Sequence, residues 1–272
     1  MTYRDILVLV DDKPQSKSLL SAAIQQAIRC EAHLIGAFIK PPFIYPYMAS
    51  EFGAYVPGDV IQTMMDDHAV LVRTTSQKAK DQFQALATEA GVHHEWRDLD
   101  GADNSELVGL ARCTDLLVYP KGGMMAPGFS AADVTLSAGG PVLLVPRSTE
   151  SLVVTKAVLA WNGSREVANA LRGAWPILKG LELSVICVSA EQEAIKRLEQ
   201  HIARHEITPH IDLLSGTDAE ASELVQAQTK ALGADLVVMG LYGRTRLQEF
   251  ILGGVSRAML HDDDPTLLLV AH

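Results

Sequence analysis

The chain has 272 residues, of which 48% are hydrophobic and 21% charged, and this balance predicts a globular protein of one large or two ordinary domains. Its net charge of -10 argues against sequence-independent binding to nucleic acid or anionic lipid, since both need a positive surface. The three cysteines, Cys30, Cys113 and Cys187, lie far apart and fit a reducing compartment. The first apolar run, residues 6–10, is too short for a signal sequence or a membrane span, so we expect a cytoplasmic protein.

Short apolar runs and helical patterns alternate along the chain. The runs are rich in Val, Leu and Ile, which is typical of parallel strands buried on both faces. In chain order, the expected strands cover residues 6–10, 33–39, 93–97, 116–119, 142–145, 158–161, 182–188, 208–213, 236–239 and 266–270. The expected helices cover residues 19–29, 66–90, 105–112, 167–178, 191–205 and 219–232. This alternation predicts an α/β fold with right-handed crossovers and doubly wound parallel sheets.

The order of the apolar runs repeats in the second half of the chain. Residues 6–12 resemble 157–163, residues 114–120 resemble 234–240, and residues 141–146 resemble 265–270. Two copies of one supersecondary pattern are the simplest interpretation of such a repeat. We therefore expect two tandem domains, residues 1–148 and residues 153–272, joined by a polar linker.

The first copy is longer than the second. The sequence separation is 104 residues between Asp11 and Asp115, but 73 between the corresponding Asn162 and Asp235. The additional length is placed at residues 40–67, a stretch rich in proline and aromatic residues. We expect an ordered surface loop there, either packed on one of the two domains or acting as a lid.

A glycine pattern follows the fourth strand of the second copy. Two residues separate Gly240 from Gly243, and nine more precede Gly253 and Gly254. Glycines allow backbone to approach a ligand closely, and the second pair precedes a helix whose first N–H groups attract an anion. Ser256 offers either a hydroxyl to a ligand or a cap to that helix. The spacing alone leaves phosphate binding and simple turns equally open.

With this motif the second half resembles the universal stress protein family, whose nucleotide-binding members carry Gly-x2-Gly-x9-Gly followed by Ser or Thr. The match falls on Gly240, Gly243 and Gly253, while Gly254 stands at the Ser or Thr position and lacks its hydroxyl. The resemblance covers both halves and implies the adenine nucleotide alpha hydrolase-like fold for each. It also implies that the last strands of the two copies pair antiparallel across a pseudo-two-fold axis, which covers two edges that would otherwise be open.

The same resemblance implies a binding site for ATP, AMP or ADP in the second half, with Mg²⁺ as a candidate companion of the phosphates. Asn162 stands where the family has an Asp that faces the nucleoside, and an Asn keeps an acceptor and adds a donor. Val188 and Met239 are expected to flank the adenine. Val255 is expected to lie in the phosphate loop, beside Ser256.

The first half departs from the family pattern. Residues 120–125 read Pro-Lys-Gly-Gly-Met-Met and lack the Gly-x2-Gly spacing. Gly139 and Gly140 directly precede Pro141, which leaves no room for the helix that should follow a phosphate loop. We expect no family-type nucleotide site in this half, and we interpret residues 121–123 as a surface loop rather than an anion site.

The expected function is that of a stress-response regulator that binds an adenine nucleotide, with no catalytic residue assigned. Two alternatives stay open: a ligand-free scaffold for partner proteins, and a weak ATPase. The expected partners are the nucleotide and, within the chain, the other domain, and whole chains are candidates for a homodimer. Neither nucleic acid nor membrane is expected as a partner.

No metal site is expected. His201 and His205 are spaced i and i+4 on a predicted helix, which is a spacing that can ligate zinc. No cysteine or second acidic pair accompanies them, and polar helix faces commonly carry histidine. We therefore interpret both as residues of a helix surface.

Overall fold

The computed structural model describes residues 2–13, 16–43, 57–123, 128–146, 153–217, 220–241 and 265–272. The elements of the first half are β1 (Asp5–Leu9), α1 (Ser16–Cys30), β2 (His33–Lys40), α2 (Gly58–Glu89), β3 (His94–Asp100), α3 (Ser105–Ala111), β4 (Leu116–Pro120), α4 (Ala131–Ala138) and β5 (Val142–Val145). The elements of the second half are β6 (Lys156–Trp161), α5 (Arg165–Leu178), β7 (Glu182–Val188), α6 (Gln192–Ala203), β8 (His210–Leu214), α7 (Ala221–Leu232), β9 (Leu236–Gly240) and β10 (Leu267–Ala271).

The strands of the described residues form one continuous ten-stranded sheet, in the order β3-β2-β1-β4-β5-β10-β9-β6-β7-β8. Neighbouring strands within each half are parallel. The halves join where β5 and β10 pair antiparallel, with Leu144 opposite Leu268 and Val142 opposite Val270. The expected doubly wound α/β fold and the pairing through the last strands are therefore confirmed.

The apolar runs form strands because helices cover both faces of the sheet. One core layer holds Leu19 of α1, Phe83 of α2 and Val167 of α5. The other holds Leu107 of α3, Val134 of α4 and Val225 of α7. Successive residues of a strand point to opposite faces, so strands buried on both sides are apolar at every position.

The matching segments 114–120 and 234–240 each contain an aspartate, and the two aspartates make equivalent contacts. The carboxylate of Asp115 accepts the backbone N–H groups of Arg4 and Asp5, at 2.6 and 3.0 Å, where β1 begins. Asp235 accepts those of Thr155 and Lys156 at the start of β6, at 2.8 and 2.9 Å. Each aspartate thus ties the beginning of the fourth strand of its half to the beginning of the first strand.

The structure corrects the expectation of no helix before β5. Helix α4 ends at Ala138, and Gly139 is its left-handed C-cap, with φ of 76°. The glycine pair therefore terminates a helix rather than forming a loop at the start of one. The helix begins after Ser130, whose hydroxyl accepts the N–H of Asp133.

The structure also corrects part of the expected surface loop at residues 40–67. Helix α2 begins at Gly58 and has 32 residues, whereas α6, its counterpart in the second half, has 12. Much of the additional length of the first copy is therefore helical. Residues 44–56 lie outside the residues that the structure describes, as does most of the expected linker, residues 147–152.

Lys121 was expected in a surface loop, and this expectation is wrong. Its side chain is buried, with 1% of its surface exposed, and its ammonium donates to the carbonyl oxygen of Thr266 at 3.1 Å. The contact connects the end of β4 to the residue before β10, so Lys121 belongs to the junction of the halves. A second contact across the junction runs from the hydroxyl of Tyr3 to the carbonyl of Gly173 in α5, at 2.5 Å.

Candidate functional site

The candidate site of the second half lies at the carboxyl ends of three adjacent strands. Strand β6 is flanked by β9 on one side and β7 on the other, so the strand order reverses at β6. In the parallel registers, Trp161 lies beside Cys187 and Leu159 beside Val238. Asn162 follows β6, while Val188 and Gly240 end β7 and β9. The three therefore meet at the switch point, which is where open α/β sheets bind ligands.

The loop after β6 is held by its own side chains. The Oδ1 atom of Asn162 accepts the backbone N–H of Ser164 at 3.0 Å, which fixes a turn around Gly163 with φ of 70°. Ser164 then caps α5, because its hydroxyl accepts the N–H of Val167 at 3.3 Å. The amide nitrogen of Asn162 has no hydrogen-bond partner among the described residues, and the residue is exposed. The loop thus presents an amide N–H₂ group at the edge of the sheet.

Gly240 lies directly against the beginning of α5. A Cβ atom at this position would stand 2.5 Å from the backbone nitrogen of Val167 and 2.8 Å from the Cβ of Glu166. A side chain does not fit between these atoms, so glycine is required for the close approach of β9 to the helix. The first glycine of the predicted motif therefore positions the loop that carries Asn162.

Glu166 is the carboxylate beside this contact. Its side chain is mostly buried and lies 3.2 Å from the guanidinium of Arg165. Burial raises its pKa, but hydrogen bonds from its own backbone N–H and from Ser164, together with the charge of Arg165, outweigh burial and hold the pKa below its usual value. Glu166 is therefore ionised at neutral pH and already engaged by neighbouring donors.

At the end of β7, Ser189 and Gly216 form a wall of the site that the sequence did not predict. Ser189, in the left-handed region with φ of 50°, donates its hydroxyl to the carbonyl of Gly216 at 2.5 Å and accepts the N–H of Gly216 at 3.3 Å. This pair holds the loop after β8 against the end of β7, next to the half-buried Val188. Ser189 directly follows the predicted strand, but no local pattern indicates its contact with Gly216, 27 residues away.

The remaining candidate residues divide into two groups. Met239 is 4% exposed and packs in the core layer of α3, α4 and α7, where Val188 also makes contact. The other group lies outside the described residues and comprises Gly243, Gly253, Gly254, Val255 and Ser256.

At the corresponding edge of the first half, described residues pack against one another. Phe129 is 1% exposed, and its carbonyl accepts the hydroxyl of the buried Tyr119 at 2.7 Å. At the start of α4, the carboxylate of Asp133 accepts the hydroxyl of Ser130 at 2.6 Å. A carboxylate thus already stands at the helix end that would attract a phosphate. That this half has no family-type nucleotide site stays a prediction.

The two histidines on α6 pack on a tryptophan. The ring of His205 stacks on Trp175 with centroids 3.8 Å apart, and the ring of His201 contacts both at their edges. No group of three or more His, Cys, Asp or Glu that could hold a metal occurs among the described residues. Within the same residues, no helix is long and apolar enough to cross a membrane.

Comparisons with known proteins agree with this geometry. Residues 166–270 match the model of the Universal stress protein family. A curated relative, Universal stress protein MJ0531 of Methanocaldococcus jannaschii, is 26% identical over 139 residues, which are 51% of this chain and 76% of that protein.

Two solved structures share the fold over nearly the whole chain. A universal stress protein from Archaeoglobus fulgidus DSM 4304 has a TM-score of 0.66 at 17% identity and covers 98% of this chain and 95% of its own. A functionally unknown protein, PA1789 from Pseudomonas aeruginosa PAO1, has a TM-score of 0.59 at 17% identity. The match covers 99% of this chain and 92% of that protein. At such identity the likeness concerns the fold. Residues 166–270 are thus similar to the universal stress protein family in sequence, and the whole chain is similar to one of its members in fold.

Proposed function

We propose that the second half of this chain binds an adenine nucleotide, ATP, ADP or AMP, and that the occupied state regulates partners in a stress response. The observation that carries the proposal is the meeting of Asn162, Val188 and Gly240 at the point where the strand order reverses. This edge of an open α/β sheet is where ligands bind. The match of residues 166–270 to the model of the Universal stress protein family supports the same conclusion.

The described residues offer the nucleoside an apolar surface and one polar group. Val188 is half-buried, so part of its side chain faces solvent beside the wall formed by Ser189 and Gly216. Asn162 adds an amide N–H₂ group that no described residue uses. An apolar surface with few polar groups that fix orientation is the usual composition of a small-molecule site.

The phosphates are assigned to the glycine motif. Gly240 brings the end of β9 against α5, and Gly243 follows it at the motif spacing. We assign the backbone N–H groups of residues 253–256 to the phosphates, since the sequence predicts a helix that begins there and the first N–H groups of a helix bind anions. Mg²⁺ is included as a companion of ATP and ADP in the test below.

The proposal concerns binding rather than turnover. Glu166 is the carboxylate nearest the loop after β6, and it is held by Ser164, Arg165 and its own backbone. A general base needs a pKa near the working pH, whereas the pKa of Glu166 is lowered. The described part of the site therefore gives no support to the ATPase alternative.

A thermal-shift titration tests the proposal. The full chain is titrated with ATP, ADP and AMP, with and without Mg²⁺, alongside Gly243→Val and a matched control, Gly58→Val. A Cβ atom at Gly58 meets no described atom within 4 Å outside its own helix, so the same substitution is made there where no clash is expected. We expect stabilisation that grows with nucleotide concentration, about 2.7 kcal/mol at a hundred times Kd.

The shift should be lost in Gly243→Val and kept in Gly58→Val. No shift with any of the three nucleotides would overturn the proposal and favour the ligand-free scaffold. A shift of equal size in both variants would place the nucleotide elsewhere on the chain.

A further inference from the structure

The first half of helix α2 contributes no buried side chain. The buried residues of this helix begin at Ser76, so residues 58–75 lie outside the core. One side of this segment has neighbours, because Val72 packs on the core and Nε2 of His68 lies 3.0 Å from the carbonyl oxygen of Pro41. Val72 follows His68 by four residues, so the two mark a single face of the helix.

Exposed apolar side chains are concentrated on this segment. Val60 is 43% exposed, Met65 44%, Val70 55% and Leu71 63%. The other exposed large apolar side chains among the described residues lie in four separate places along the chain, at Ile28, Leu136, Val153 and Leu213. Such a concentration on one helix indicates a surface that contacts another protein.

Four charged residues form a stripe on the same helix. Asp59, Asp66, Arg73 and Lys80 follow one another at intervals of seven residues, which is close to two turns, so they share one face. Val70 lies on this stripe too, four residues after Asp66 and three before Arg73. The stripe is thus acidic towards the start of the helix, basic further along it and apolar in the middle.

These four charges have no charged partner within the helix. An opposite charge three or four residues away would stabilise the helix, but every position at that distance from any of the four holds an uncharged residue. Two of the four bond to uncharged groups of their own helix. Among the ion pairs of the described residues, none includes a member of the stripe.

The stripe is complementary to itself when two copies of the helix run antiparallel. Asp59 and Lys80 are equally far from a point just before Val70. The same point is the midpoint between Asp66 and Arg73. A two-fold axis through it brings each aspartate opposite a cation of the other copy and brings the two Val70 side chains together. In a parallel pair each residue would meet its own copy, so like charges would repel.

We propose that two copies of this chain associate through the first half of α2, with the helices antiparallel and a two-fold axis near Val70. Such a contact uses the same surface on both copies and closes at the dimer. Asp67 lies between Val60 and Leu71 on the helix surface, and its charge disfavours complete burial of this face. We therefore expect a reversible dimer that depends on the ion pairs. The proposal is independent of nucleotide binding.

Sedimentation of the full chain over a range of concentrations tests the proposal by measuring the Kd of the dimer. Asp66→Arg places two cations opposite each other at both symmetry-related positions and should raise this Kd at least about 10-fold. Arg73→Asp places two carboxylates there and should do the same. A chain that carries both substitutions exchanges the members of each pair and should return to a Kd close to that of wild type.

Two further variants complete the test. Glu199→Arg reverses a charge at an exposed position of α6, the counterpart of α2 in the second half, and should leave the Kd unchanged. Leu71→Ser removes the most exposed apolar side chain of the patch and should also weaken the dimer. Since all these positions are exposed, circular dichroism should show the wild-type fold in each variant.

Three outcomes would contradict the proposal. A chain that stays monomeric at about 1 mM would overturn it, because association weaker than that contributes little free energy. A dimer whose Kd is the same in Asp66→Arg as in wild type would associate through another face. If the two single reversals weaken the dimer and their combination does not recover it, the antiparallel register is wrong.

Discussion

Gly240 and Glu166 lie so close together that a Cβ atom on the glycine would stand 2.8 Å from the Cβ of the glutamate. The contact joins the end of β9 to the beginning of α5. It also fixes where the loop of Asn162 projects from the sheet, since Ser164 caps the same helix. Packing at Gly240 and the position of Asn162 are therefore coupled through one helix end.

Gly240→Ala should destabilise the protein by about 2 kcal/mol, because the new methyl group meets backbone atoms that cannot move aside. Urea unfolding followed by circular dichroism measures the change. Gly109→Ala in α3 is the control, since a Cβ there meets nothing within 4 Å and alanine favours a helix by up to about 1 kcal/mol. Equal stability of Gly240→Ala and wild type would show that β9 and α5 can move apart.

Asp235→Asn should lower the free energy of unfolding at pH 7 by about 1 kcal/mol. This is a typical contribution of charge-assisted hydrogen bonds to a partly exposed carboxylate. Burial raises the pKa of Asp235, but hydrogen bonds from the backbone of Thr155 and Lys156, the Thr155 hydroxyl and the charge of Lys156 outweigh burial and lower it. A lowered pKa in the folded state means that this stabilisation is present above the unfolded pKa of about 4 and is lost as the pH falls further.

Urea unfolding of Asp235→Asn and wild type, measured at pH 7 and again near pH 3, tests this dependence. The difference between the two proteins should shrink at the lower pH. A difference that stays constant would mean that the amide and the ionised carboxylate accept the N–H groups of Thr155 and Lys156 equally well.

Lys121→Ala should lower the free energy of unfolding by about 3 kcal/mol. It removes a buried aliphatic side chain and leaves the carbonyl of Thr266 without this donor. Lys121→Met keeps most of the aliphatic side chain and should lower the free energy of unfolding by about 1 kcal/mol. Lys17→Ala, at an exposed position of α1, should stay within about 0.5 kcal/mol of wild type. If Lys121→Ala is as stable as Lys17→Ala in thermal unfolding, the contact across the junction contributes nothing.

Stability should fall as the pH drops below the ordinary pKa of histidine, about 6.5. Burial against Trp175, and then the nearby His201, lower the pKa of His205. A lowered pKa means that the folded state disfavours the proton, so His205 contributes stability above the unfolded pKa that is lost as the pH falls through the folded pKa.

His205→Gln should flatten this decline, as measured by thermal unfolding between pH 7.5 and 5.5. His93→Gln changes an exposed histidine and should leave the decline as in wild type. If both variants follow the wild-type curve, another group is responsible for the acid sensitivity.

The strands were predictable from the sequence because burial on both faces makes them continuous apolar runs. The bounds of β5 and β7 agree with the expectation, and β6 begins two residues earlier than expected. Helix α4 was missed because its eight residues contain few large apolar side chains and end in a glycine pair. That pair, directly before Pro141, indicated that there was no room for a helix, whereas it serves as the end of one.

The candidate site was predictable only in part. The end of β9 was indicated by its glycine pattern, while Asn162 after β6 and Val188 at the end of β7 were expected from the family resemblance. The bond between Ser189 and Gly216 joins two loops 27 residues apart and has no local signal. The burial of Lys121 depends on Thr266, 145 residues away, so no window of the sequence around the lysine indicates it.

The antiparallel pair of β5 and β10 joins two stretches of one covalent chain. Their encounter is intramolecular, so the pair does not come apart on dilution as two separate chains would. A substitution also alters one side alone. Lys121 and Leu241 occupy equivalent places, each donating its backbone N–H to the end of the last strand at 2.9 Å, yet one is a cation and the other a hydrocarbon. In a pair of identical chains each change would appear twice, whereas within one chain the two copies can diverge independently.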